Sequence, residues 1–152
     1  MKLPDVNLWL ALTLSGHTHH AVASAWLEGE SARSSVFLCR ATQQGLLRLL
    51  TTSAVLAPYD IPPLSNRAAW AVVDAFLADD RIAFMDEPMD TEILWKEWAL
   101  RETASPKLWM DAWLAAVARR GGLQIVTFDK GFREFQGLDL LLLTRQEQAA
   151  NP

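Results

Sequence analysis

The residues of this chain best suited to chemistry are three aspartates, Asp5, Asp111 and Asp129. Asp5 ends the short run Met1–Asp5, which reads as a strand, and the helical apolar spacing of Val6 to Leu14 follows it. Asp129 comes directly after Leu123–Phe128, an apolar, β-branched run expected of a strand buried on both faces. Asp111 is a lone carboxylate inside the apolar helical run that begins at Leu108. In a parallel sheet, ligands gather at the carboxyl ends of strands, so Asp5 and Asp129 stand where a site forms. An oxygen-only set of this kind suits Mg²⁺ or Mn²⁺. Carboxylates gathered without a cation repel one another, which itself argues for a metal. Such an ion activates water and stabilises charge during in-line attack on phosphorus.

Plainer roles exist for the same residues. Asp5 and Asp129 each precede a helix and could serve as N-caps. Asp111 lies four residues after Lys107 and could be half of an ordinary helix pair. His17, His19 and His20 share a loop without a second group of ligands, which makes a weak transition-metal site. Asp86, Glu87 and Asp90 follow a strand and read as loop and cap acids. Arg40, Arg48 and Lys130 are candidates for phosphate contacts, with Arg119, Arg120 and Arg133 as further basic positions.

The elements that must position these groups follow in chain order. After the first strand and helix, Ser15–His20 reads as a loop and His20–Glu28 as a helix. Ser34–Cys39 reads as a strand and Ala41–Leu50 as a helix. Thr51–Pro63 is rich in turn residues and is expected to be loop. Ser65 caps a helix through Leu77, Arg81–Met85 is a short strand, and Asp90–Arg101 is a further helix. Ser105 and Pro106 suggest the N-cap and first position of the helix that carries Asp111. That helix should be enclosed, because Trp109, Ala112, Trp113 and their neighbours leave almost no polar face. Arg119 and Arg120 suit its last turn, and Gly121-Gly122 supplies the stop. Lys130–Phe135 reads as a helical turn, Leu138–Leu143 as a last strand. The alternation implies an α/β domain of three layers, α/β/α, with a mostly parallel central sheet. A single domain over residues 1–145 with a C-terminal tail over 146–152 is expected.

Composition narrows the function. With 152 residues, 51% of them hydrophobic and 21% charged, the chain suits one compact fold with a real core. No apolar run reaches membrane-span length and no secretory leader is evident, so a cytoplasmic location is expected. Cys39, the only cysteine, excludes an internal disulfide. A net charge of −4 argues against indiscriminate nucleic-acid binding while permitting a local basic rim. Seven tryptophans are many for this length. Trp70, Trp95 and Trp98 could line a partner surface, and core packing accounts for them equally well.

Three segments together are specific: LPDVNLWLAL, CRATQQGLLRLLT and DAWLAAVARRGGLQIVTFDKGF. In this order and spacing the chain resembles a PIN-domain protein of the VapC toxin type, over nearly its whole length. The resemblance implies a PIN fold and a metal-dependent endoribonuclease acting as the toxin of a type II toxin–antitoxin pair. It also implies a cognate antitoxin that blocks the site, and a homodimer or toxin–antitoxin hetero-oligomer. By position, Asp5, Asp111 and Asp129 match the family acids, and Asn7 and Thr127 match polar groups that support them. Gln43 stands where many members carry a glutamate; it can ligate through its carbonyl oxygen but brings no charge. That departure leaves open a second reading, a catalytically weakened PIN domain that binds RNA or antitoxin. A phosphoacceptor domain is the third reading. Asn7 stands where a haloacid-dehalogenase-like site needs its second acid, and the paired acids of a receiver domain are missing.

Overall fold

Short apolar runs separated by helices pair here into one five-stranded sheet. The structure, a computed structural model, describes residues 1–144. Strands β1 (Lys2–Pro4), β2 (Val36–Cys39), β3 (Ile82–Met85), β4 (Gln124–Thr127) and β5 (Leu140–Leu142) lie in the order β3-β2-β1-β4-β5. Every pairing in the sheet is parallel, in agreement with the three-layer α/β expectation. Register places Leu3 opposite Ile125 and Pro4 opposite Val126. The Lys2 N–H donates to Ser35 O and the Asp5 N–H to Val126 O. By the alternation of a strand, the donor that Pro4 lacks faces β2, where the ladder holds only Lys2 opposite Val36. A proline is thus tolerated in the central strand of the sheet.

Alternate strand residues feed two main cores, and Val126 joins Leu8, Ala11 and Ala23 in a smaller third cluster. Val36 and Leu38 enter one with Trp9, Leu46, Leu50 and Val73; Leu3, Cys39 and Ile125 enter the other with Ala112, Ala115, Val117 and Phe132. The first core is built from α1 (Val6–Thr13), α3 (Arg40–Leu50) and α5 (Asn66–Leu77), with α2 (His20–Glu28) lying against α1. The second lies beneath α6 (Thr91–Ala99) and α7 (Leu108–Gly121). Helix α7 stops at Gly122, whose φ of 61° only glycine adopts freely.

Three expectations are corrected. Thr51–Pro63 is not all loop: it contains a short helix, α4 (Ser53–Leu56), and a 3-10 turn over Ala57–Tyr59, because Leu56 is drawn wholly into the core. Helix α7 starts at Leu108, two residues beyond Pro106; the Leu108 N–H bonds Ser105 O in a turn, and Lys107 flanks the helix without a side-chain cap. Nor is α7 enclosed throughout, since Trp109 is 57% exposed and Met110 39%. Its 14 residues span about 21 Å, against about 13 Å for a four-residue strand, so the first turn overhangs the sheet. The tail expected over residues 146–152 lies outside the described residues. Among those described, no helix is long and apolar enough to cross a membrane.

Candidate functional site

Asp5 leaves β1 and becomes the N-cap of α1, so one strand end and one helix start fix its position. Its Oδ1 accepts the Leu8 N–H at 2.7 Å, and its Oδ2 accepts the Thr127 hydroxyl at 2.5 Å. Capping and site chemistry are therefore not alternatives for this residue, because the second oxygen faces β4. Thr127 closes a further link: its Oγ1 accepts the Asp129 N–H at 2.9 Å. One buried hydroxyl thus ties Asp5 to Asp129 across adjacent strand ends. Asp129 itself caps the 3-10 turn Lys130–Glu134 through its Oδ1, which accepts the Gly131 N–H at 2.8 Å.

Lys107 supplies the third link. Its ammonium pairs with Asp129 Oδ2 and lies 3.5 Å from Asp111 Oδ2. The i,i+4 pair foreseen for Asp111 exists, but the same lysine also reaches across to the end of β4. In the sequence Lys107 stands out only as Asp111's local partner; its contact 22 residues away carries no local signal.

The electrostatics match this geometry. Burial pushes the Asp5 carboxyl up to about 6, a rise that Asp111 and Asp129 reinforce and that the Thr127 and Leu8 hydrogen bonds only partly offset. Burial also raises Asp111, more than Lys107 lowers it. Burial works against ionisation of Asp129 too, yet the bonds from Lys107 and Gly131 hold it below the usual carboxylate range. The Lys107 ammonium is raised, first by its bond to Asp129.

The remaining candidates divide. Gln43 is buried in the first turn of α3, directly after the end of β2, and its Oε1 accepts from the Arg40 guanidinium. Arg40 also lies over the Phe84 ring, 4.6 Å from its centroid. Arg48 and Lys130 are exposed, as is Arg40. Asn7 is exposed in the first turn of α1, and its side chain makes no hydrogen bond among the described residues, so it does not support Asp5 directly. Glu87 acts as a cap acid: its carboxylate accepts the Ala41 N–H at 2.8 Å, at the N-terminus of α3. The histidines have packing roles: His19 stacks on Phe128 and the His20 ring meets Ala11 O at 2.8 Å.

A metal fits the donor set by its chemistry, since the facing groups are hard carboxylate oxygens and one cation, the Lys107 ammonium, already lies between two of them. As the side chains stand, no three His, Cys, Asp or Glu groups among the described residues are close enough to share an ion. An ion held by Asp111 and Asp129 would compete with the Lys107 ammonium, whose side chain is 63% exposed.

A groove of about 650 Å³ runs between α3 and α7. Arg40, Gln44 and Arg48 line one wall; Trp109, Met110 and Trp113 line the other, with Trp95, Pro106, Ala41 and Glu87 around them. Of the tryptophans flagged from sequence, Trp95 and Trp98 pack against the second core, while Trp70 is 45% exposed.

Comparison with known proteins gives one answer. The PIN-domain profile matches residues 2–138. The chain is 51% identical over 146 residues to Ribonuclease VapC41 of Mycobacterium tuberculosis, covering 95% of this chain and 100% of that protein. It is 31% identical over 136 residues to Ribonuclease VapC38 of the same organism, covering 86% of each. Among solved structures, M. tuberculosis VapC20, described as a sarcin–ricin-loop-cleaving toxin, superposes with a TM-score of 0.65 at 21% identity, covering 88% of this chain and 94% of that one. VapBC2 of Rickettsia felis bound to a promoter DNA fragment also gives 0.65, at 13% identity, covering 94% and 98%. This chain belongs to the PIN-domain family, on its VapC branch.

Proposed function

We propose that this protein is a divalent-metal-dependent endoribonuclease and the toxin of a type II toxin–antitoxin module. The observation that carries the reading is the linkage of Asp5, Thr127 and Asp129 at adjacent parallel strand ends, with Asp111 joined to Asp129 through Lys107. The high identity to a VapC ribonuclease over the full relative supports the activity. Asp5, Asp111 and Asp129 would hold Mg²⁺ or Mn²⁺, which supplies an activated water and charge neutralisation at the scissile phosphate.

The chain's own groups do the positioning. The Leu8 N–H and Thr127 hydroxyl each hold one Asp5 oxygen, so this carboxylate is presented in one orientation. The Gly131 N–H does the same for Asp129. Arg40, Arg48 and Lys130 are exposed and suited to the RNA backbone. A cognate antitoxin that covers the site, homodimers or toxin–antitoxin hetero-oligomers, and a cytoplasmic location complete the proposal.

Calorimetric titration of Mn²⁺ and Mg²⁺ into antitoxin-free protein, wild type beside Asp5→Asn, tests it. Single-site binding abolished by the substitution, together with Mn²⁺-dependent cleavage of total RNA, is expected. Wild-type protein that neither binds metal at millimolar concentration nor cuts RNA sinks the nuclease. The second reading, a weakened domain that binds RNA or antitoxin, then stands; it is favoured by Gln43, which is uncharged and whose oxygen Arg40 occupies.

A further inference from the structure

Trp109 is 57% exposed on the overhanging first turn of α7, in a protein whose other large aromatics are mostly packed away. Exposure of an indole costs free energy that burial would recover. The ring is also braced. Trp95 meets it edge-on at a centroid distance of 6.0 Å and 68°, and Trp95 is in turn held T-shaped against Trp113 at 5.2 Å and 89°. The Trp95 Nε1–H donates to Trp109 O at 2.9 Å, which fixes the backbone of that turn. A T-shaped neighbour supports a ring while leaving a face uncovered.

Across the groove from this ring stand Arg40 and Arg48, both exposed. They are eight residues apart on α3, about 12 Å along the axis. A stacked strand advances about 3.4 Å per nucleotide, so that distance takes in several phosphates. Arg40 spends one nitrogen on Gln43 and keeps other donors. Arg40, on the groove wall, donates to the Gln43 side chain, and Pro106 and Trp109 flank the segment carrying Lys107, whose ammonium pairs with Asp111 and Asp129. Guanidiniums on one wall and an uncovered indole on the other are the two parts of a single-stranded nucleic-acid site: charge for the backbone, a π-face for a base. Bases inside a duplex have both faces covered by stacking and offer none to an indole.

We infer that the groove between α3 and α7 is a subsite for unpaired RNA, in which Trp109 stacks on a base adjacent to the scissile phosphate while Arg40 and Arg48 hold the backbone. The inference rests on the nuclease reading for the position of the cut. It adds that the substrate must present an unstacked base there.

Binding is measured by fluorescence anisotropy in EDTA, where cleavage does not compete. The probes are a labelled oligoadenylate octamer, a chain of eight abasic ribose phosphates, and an eight-base-pair RNA duplex. Wild type is expected to prefer the oligoadenylate to both others by about tenfold or more, in keeping with base–aromatic stacking. Trp109→Ala is expected to lose that preference, Trp109→Phe to keep most of it, and Arg48→Ala to weaken the octamer and the abasic chain alike. A thermal melt verifies that each variant is folded. Equal affinity of wild type for octamer and abasic chain, or a Trp109→Ala variant that binds as wild type does, overturns the inference. Failure of wild type to bind any probe also overturns it and leaves the aromatic face to a protein partner. Loss of metal binding and cleavage with Trp109-dependent binding intact would fell the nuclease reading alone.

Discussion

At Asp5 one side chain serves two masters with opposed needs. As the N-cap of α1 it is satisfied by its oxygens alone, but in its proposed role as a metal ligand it must be ionised, and burial pushes it up to about 6. The folded state keeps a proton there that the unfolded chain, near 3.8, releases. The contribution of Asp5 to stability is therefore fully present below 3.8 and lost as pH rises through about 6, a cost on the order of 3 kcal/mol by pH 7. Asn caps helices as well as Asp does. Urea denaturation of metal-free protein between pH 4 and 8 should therefore show wild type losing stability relative to Asp5→Asn as pH rises; parallel curves would refute it. Thr127→Val removes the hydroxyl that both stabilises ionised Asp5 and receives the Asp129 N–H, and should cost about 1–3 kcal/mol, with Thr127→Ser recovering most of it in the same denaturation assay. Lys107 pulls the other way. Replacing it with Met removes a cation that competes for Asp111 and Asp129, and calorimetry should find Mn²⁺ bound about fivefold more tightly, the scale of a partly exposed ion pair. Weaker binding would mean that Lys107 gathers the acids rather than blocking them.

Between elements, the closest approach that matters is that of α1 to α3. A Cβ on Gly45 would lie 2.7 Å from Val6 Cγ2, and Val6 directly follows Asp5. Gly45→Ala gains helix propensity of about 1 kcal/mol yet should be destabilising by a net 1–2 kcal/mol, read as a lower denaturation midpoint. Metal affinity should fall with it, because α3 carries Gln43 and would be pushed from the start of α1. What was legible in the sequence follows the same division between local and distant. Apolar runs ending in Asp5 and Asp129 gave strands, their parallel order and the acids at strand ends, because period and composition are properties of a few neighbouring residues. Helix α7 starts later than its sequence predicts because Ser105-Pro106 carries a capping signal that the chain spends on a turn. Trp109 was expected to be enclosed because composition says that a helix is apolar, not how far it outruns the sheet. The Lys107–Asp129 pair and the Thr127 bridge depend on strand register, which no local pattern encodes.

Over the whole molecule, a net charge of −4 means that RNA must be attracted locally and against the general field. Changing Arg40, Arg48 and Lys130 together to Gln should reduce the slope of log binding constant against log salt by about 2, at roughly 0.7 per single-strand phosphate contact. An unchanged slope would place the backbone contacts elsewhere. The sheet has its own consequence, through the pairing of its central strand with β4. Asp5 and Thr127 are 122 residues apart, so the first acid is made long before its partners. A chain still being translated can build neither the middle of the sheet nor the site until β4 has emerged. Cleavage therefore waits on the emergence of β4, and a partner that recognises the assembled strand ends has nothing to bind before then.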